Sequence, residues 1–133
     1  MIFFLDTDVC VHLLRGEPAP RERFRRHAEE TRLSAIAYAE LQFGLARSTR
    51  RAKNRERLDA LCRGLDIVPF DKDAAAHYGE IRQELSRRGE LIGANDLLIA
   101  AHARSRDATL VTNNEREFAR VPGLRIENWL RPD

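Results

Sequence analysis

Apolar and polar positions fall into short blocks along the chain, and the block lengths separate strands from helices. Ile2–Leu5 is a brief apolar run closed by Asp6-Thr7-Asp8, which predicts a buried strand. From Val9 to Leu14 the apolar residues recur at helical spacing, until Gly16 and Pro18 stop them. Arg21–Glu30 is charged and predicts a surface helix, and Arg32–Ser34 a second short strand. Ile36–Ala46 has apolar residues at 36, 37, 41 and 45 with Glu40 among them, the pattern of a mostly buried helix. After a basic stretch, Leu58, Leu61, Cys62 and Leu65 continue in helical register, and Ile67–Phe70 predicts a third strand. Asp71 or Asp73 can cap the next helix, whose apolar face is Ala74, Tyr78, Ile81 and Leu85 and whose end is marked by Gly89. Leu97–Arg104 is apolar and Ala-rich, a buried helix. Thr109–Thr112 and Leu124–Glu127 predict two further strands, with Trp129 as an anchor.

Short strands alternating with helices predict an α/β fold with a parallel sheet. Ligands then bind outside the carboxyl ends of the strands. Asp6, just past the first strand, and Asn113-Asn114, just past Thr109–Thr112, belong to that edge. The length of 133 residues suits one domain, 1–133, with no repeat and no linker. No apolar run approaches the ~18 residues of a membrane span, and no secretion signal opens the chain, so a soluble cytoplasmic protein is expected. Two cysteines far apart in sequence, Cys10 and Cys62, make neither a disulfide framework nor a zinc site.

Net charge is only +2, but Lys53 and Lys72 are the only lysines among 23 basic residues. Arginine forks onto phosphate. The densest basic stretch is Arg47, Arg50, Arg51, Lys53, Arg55 and Arg57, a candidate grip on an RNA backbone or else a solvated helix face. Among the aromatics, Phe3, Phe4, Phe70 and Trp129 read as core, and Tyr38, Phe43 and Phe24 as candidates for a partner surface.

Most acidic residues sit among charges. Three do not: Asp6 follows Phe3-Phe4-Leu5, Glu40 lies inside Ile36–Ala46, and Asp96 sits between Gly93-Ala94-Asn95 and Leu97-Leu98. A buried carboxylate is costly unless paired or metal-bound. Each has a plain structural use: Asp6 as a helix cap, Asn95 or Asp96 as the cap of the helix from Leu97, Glu40 as an arginine partner. Together they also suit a hard divalent cation, which takes oxygen ligands and keeps several waters. Phosphate-binding glycine loops, a His-Glu-x-x-His zinc motif and a Gly-x-Ser-x-Gly elbow are all absent from the chain. The four histidines lack zinc-type spacing, and His102 reads as a packed core histidine.

The blocks FFLDTDVCV (3–11), SAIAYAEL (34–41), IGANDLLIAAHA (92–103) and ATLVTNNEREFARVPGLRIENW (108–129) resemble, in order and spacing, the PIN-domain ribonucleases of the VapC toxin type. The resemblance implies a PIN-like three-layer α/β/α sandwich with a mostly parallel sheet of four or five short strands. It implies Mg²⁺ or Mn²⁺ dependence and endonucleolytic cleavage of structured RNA, often tRNA and in particular its anticodon stem-loop, leaving a 5′-phosphate and a 3′-hydroxyl. It further implies a homodimer that a VapB-like antitoxin inhibits by laying a C-terminal segment across the active groove, in a heterotetramer or hetero-octamer. The family's first three acids fall on Asp6, Glu40 and Asp96, the implied metal ligands. The fourth acidic position falls on Asn114, which offers a carbonyl oxygen to a metal-bound water but no charge, so either a second metal is lost or Glu115 or Glu117 contributes. Asp8 stands where many relatives have Asn or Ser, and adds a carboxylate near the site or bonds locally. Thr7, Asn95, Thr112 and Asn113 are expected to orient the acids.

Three other readings use the same residues. Asp6-Thr7-Asp8-Val9 after a strand also resembles the nucleophile loop of haloacid dehalogenase-type phosphatases. That class needs a lysine and a later paired-Asp loop, and Lys53, Lys72 and NDLLIAAHA (95–103) supply them poorly. Asn114 keeps open a subunit that binds RNA or antitoxin without cutting. A DNA-directed nuclease is a third option, since the acids do not choose the sugar.

Overall fold

The sheet is built outward from β1 (Phe3–Leu5), whose three residues are all buried. In the computed structural model residues 1–132 are described; Asp133, the last residue of the expected domain, lies outside the described residues. Five strands run in the order β3-β2-β1-β4-β5, all parallel: β2 (Thr31–Ser34), β3 (Asp66–Val68), β4 (Thr109–Val111) and β5 (Arg125–Glu127). Phe3 is in register with Thr31 on one side and Thr109 on the other.

Parallel neighbours need crossover connections, which place helices on both faces. Seven helices do so: α1 (Thr7–Leu14), α2 (Pro18–Arg26), α3 (Ala35–Ala46), α4 (Arg51–Cys62), α5 (Lys72–Arg88), α6 (Ala94–Ser105) and α7 (Glu115–Phe118). The three-layer α/β/α expectation therefore holds. The chain leaves β1 toward β2 and β3, then crosses back to β4 and β5. The direction switch falls between β1 and β4, and the crevice at their carboxyl ends is where such sheets bind ligands.

Several boundaries differ from the sequence expectation. Gly16 at φ +77 does end the first helical stretch, but Pro18 opens α2, at the position where a missing N–H costs nothing. The expected helix 21–30 thus starts earlier and ends at Arg26, followed by a single 3₁₀ turn over Ala28–Glu30. Leu65 lies outside α4, because Gly64 at φ +84 breaks the register first. The third strand is Asp66–Val68 rather than 67–70, since Pro69 follows at once. Phe70 is half-buried, not core, with its ring edge-on to His102 at 5.5 Å. α6 begins at Ala94 with Gly93 as its cap, so Asn95 and Asp96 lie in the first turn rather than capping it.

The core is one cluster running from Phe4 and Leu5 through Leu33, Ile81 and Ile99 to Phe118 and Trp129. Each large side chain buried there contributes about 1.5–3 kcal/mol. His102 is fully buried and bonded through Nδ1 to Ser34 Oγ at 2.8 Å, as a packed core histidine. Cys10 and Cys62 are both free. No helix among the described residues is long and apolar enough to cross a membrane.

Candidate active site

Asp6 ends β1 and caps α1, accepting a bond from Thr7 N at 2.8 Å through Oδ1. Its other oxygen accepts from Thr112 Oγ1, at the end of β4, at 2.8 Å. Thr112 Oγ1 in turn accepts from Asn114 N at 2.9 Å, tying the two central strands together at the switch point. Asp6 is only 4% exposed. Burial first, then the charge of Asp8, push its carboxyl up to about 8.

Asp8 Oδ1 is buried with no hydrogen-bond partner, and the charge of Asp8 acts on both Asp6 and Asp96. Asp8 therefore lies among the acids, and its carboxyl also shares a side-chain hydrogen bond with Asp6.

Glu40, on α3, is held from both ends. Thr7 Oγ1 donates to Oε1, and Asn95 Nδ2 donates to Oε2 at 3.1 Å. Thr7, Asn95 and Thr112, expected to orient the acids, are thus hydrogen-bonded to Asp6 or Glu40.

Asp96 lies in the first turn of α6, where the helix dipole favours a charged carboxylate. Burial first, then Glu117, Glu40 and Asp8, override that and push Asp96 up to about 7. Glu117, on α7, faces it. Burial alone would raise Glu117, but Gly93 N at 3.0 Å, the Asn114 amide at 2.5 Å and the Asp96 carboxyl all donate to it and hold it below its ordinary value. Asp96 and Glu117 thus form a hydrogen-bonded pair that raises Asp96 and lowers Glu117.

Glu117, rather than the side chain at 114, brings the further carboxylate to this edge. Asn114 serves it as a donor. Glu115 and Asn113, expected near the acids, turn elsewhere: Glu115 accepts from Arg131 and Asn128, and Asn113 accepts from Asn128.

Sequence reasoning missed Gly93. Its N–H holds Glu117, and a Cβ there would sit 3.2 Å from Asp96 Oδ2. A glycine just ahead of an acid-bearing helix start was the available signal.

Among the described residues no three His, Cys, Asp or Glu side chains gather tightly enough to form a closed metal site. The donor set is nonetheless all hard oxygen, with an unpartnered buried Asp8 oxygen, and the charges acting most strongly on Asp6 and Asp96 are those of other acids. That chemistry fits a divalent cation that keeps most of its water.

From Thr7, Glu40 and Asn95 an apolar groove of about 870 Å³ runs between α1, α3 and α4. Arg15, Arg47, Asn54 and Arg57 line it, and Phe43 stands in it 65% exposed, under the Arg47 guanidinium. Of the basic candidates, Arg47 and Arg57 reach the groove. Arg50, Arg51, Lys53 and Arg55 are exposed and do not line it. Tyr38 and Phe24 are half-buried.

The PIN domain family profile matches residues 3–124. A Rickettsia felis protein named ribonuclease VapC2 is 41% identical, covering 97% of this chain and 98% of its own. A Shigella flexneri protein named tRNA(fMet)-specific endonuclease VapC is 41% identical, covering 96% and 97%. The crystal structure of DNA-bound VapBC from Salmonella typhimurium contains a chain that superposes with TM-score 0.93 at 39% identity, over 97% of this chain and 98% of that one.

Proposed function

This chain belongs to the PIN-domain family, alongside VapC-type ribonucleases, and from that premise we propose that it is a toxin acting as a divalent-metal-dependent endoribonuclease. The observation that carries the reading is that Asp6, Asp8, Glu40, Asp96 and Glu117 lie at the switch point of a parallel sheet, where the charges acting most strongly on Asp6 and Asp96 are those of the other acids. Structured RNA, with tRNA and its anticodon stem-loop foremost, is the proposed substrate, given the activity named for the Shigella relative.

Asp6 and Asp96 would hold Mg²⁺ or Mn²⁺ directly. Glu40, oriented by Thr7 and Asn95, would be the third ligand, directly or through a metal-bound water. When bound, such a cation makes a water acidic enough to attack phosphorus and offsets charge on the phosphoryl oxygens. The chain's own groups do the rest. Thr112 and Thr7 N fix the Asp6 carboxylate, and Thr7 and Asn95 fix Glu40. The Asp96–Glu117 pair holds a proton that it can exchange near neutral pH. Water attacking in line opposite the 3′-oxygen forms the new P–O bond as the P–O3′ bond breaks, and the 3′-oxygen leaves with a proton, giving a 5′-phosphate and a 3′-hydroxyl without use of the substrate 2′-hydroxyl.

The groove between α1, α3 and α4 opens onto Glu40, so a VapB-like antitoxin segment lying in it would bar RNA from the acids. Its apolar floor and exposed Phe43 suit an amphipathic protein segment. A homodimer assembled with that antitoxin is part of the same proposal.

The test uses antitoxin-free protein and total bacterial tRNA, with Mg²⁺, with EDTA, and with an Asp96→Asn variant. One discrete cut bearing a 5′-phosphate, lost in EDTA and in the variant, is the expected result. Intact tRNA that is nonetheless bound would point to the non-cutting subunit. Release of phosphate from a small phosphomonoester would point to phosphatase chemistry.

A further inference from the structure

The acids lie between two clefts. On the β2 side is the groove already described. On the β4 side a smaller cleft of about 410 Å³ is bounded by the loop 91–93, Asn114, Arg116, Glu117 and Arg120. Glu117 and Gly93 line this cleft, and Glu117 is bonded to Asp96, so the cleft adjoins the acids on this side.

Its two arginines are not equivalent. Arg120 is occupied: its Nη1 donates to the carbonyls of Glu90 and Leu91 at 3.4 and 3.3 Å, and its charge acts on Glu117. Arg116 is exposed on α7 and has no hydrogen bond or ion pair with any described residue. It remains unpaired although Glu117 is one residue away in sequence, because Glu117 is turned inward onto Gly93 N and Asn114. A free guanidinium at the mouth of a cleft beside carboxylates has a strong affinity for phosphate and little other use.

An RNA strand that presents one phosphate to the acids must also place its neighbouring phosphates on either flank. The groove offers Arg15, Arg47 and Arg57 on one flank. We propose that the cleft on the other flank receives the adjacent RNA phosphate, and that Arg116 is its ligand. This rests on the ribonuclease reading above. None of the basic residues singled out in the sequence lies in this cleft.

The test measures binding of total bacterial tRNA at several salt concentrations, in a full-length Asp6→Asn background that does not cut and leaves the cleft untouched. Arg116→Ala should weaken binding about tenfold at low salt, as for loss of one charge-assisted bond. It should also make the log–log salt slope shallower by about 0.7–0.9, as for one lost phosphate contact. Arg116→Lys should keep the slope, since it keeps the charge. Arg87→Ala, which removes an arginine paired with Glu84 on α5, should change neither quantity. Thermal melting checks that each variant is folded. An Arg116→Ala protein that is folded and binds with its parent's affinity and slope overturns the assignment to Arg116 alone. A parent that binds no tRNA overturns the ribonuclease reading and this assignment with it.

Discussion

Asn114 is the residue at which the family pattern and the geometry diverge most instructively. Aligned by motif, it is a missing acid, and replacing it with Asp would be expected to repair the site. In the structure its side-chain amide donates to Glu117 Oε2 at 2.5 Å. Aspartate cannot donate that bond and would set one carboxylate against another, so the pair would retain a proton to higher pH. Asn114→Asp is therefore expected to shift the acid limb of the cleavage pH profile upward by about one unit and to lower the rate at pH 7 several-fold. A gain in rate at neutral pH would instead make position 114 the acidic one and dismiss Glu117. The three acids in apolar surroundings, Asp6, Glu40 and Asp96, stood out in the sequence because burial makes a carboxylate conspicuous. Glu117 did not, because its neighbours Glu115 and Arg116 make it resemble any charged turn. Only the placement of α7 against the loop 91–93 separates Glu117, turned in, from Glu115, turned out to Arg131.

Among the elements, α6 matters most, because it carries Asn95 and Asp96 in one turn and delivers them to Glu40 and Glu117. Hydrophobic spacing located every strand and the cores of the long helices, since those are set by the residues that must be buried. It placed the start of α6 three residues late, because Ala94, Asn95 and Asp96 do not add to the apolar pattern even though their backbone is helical. That error has a functional edge: it read Asp96 as a candidate cap, when the cap is Gly93. Gly93 has φ −56, which any residue can adopt, so glycine is needed here for space and not for backbone freedom. Gly93→Ala would put a methyl 3.2 Å from Asp96 Oδ2 and 3.8 Å from Glu117 Oε1. The expected outcome is a melting temperature within about 2 °C of wild type, together with a cleavage rate reduced roughly 10–100-fold, the cost of displacing an acid by a fraction of an ångström. Unchanged cleavage would mean that Asp96 can move without consequence.

For the whole molecule, the acidic cluster exacts a stability cost that depends on pH. Asp6 and Asp96 are raised to about 8 and about 7 in the folded chain. In the unfolded chain both return to about 4. Between those limits the folded state holds protons that the unfolded state has released, so stability falls as pH rises. The contribution is fully present below the unfolded value and is lost as pH passes through 7 and 8. His102 acts in the opposite sense, because burial lowers its pKa, but that change is complete once an unfolded histidine is neutral. Between about pH 7 and about pH 8.5 in EDTA the melting temperature should decline, the carboxyls acting through the window and the thiols of Cys10 and Cys62, which burial also raises, adding to the decline at its upper end. Added Mn²⁺ should raise it more at the upper end than at the lower, because at lower pH the cation must first displace protons. The Asp6→Asn, Asp96→Asn double variant should show a shallower decline, the part left to the thiols, and no metal shift. A wild-type melting temperature that rises with pH in EDTA, or a metal shift larger at the lower pH, would mean that these carboxyls are already ionised when the site is empty, and that something other than protons offsets their charge.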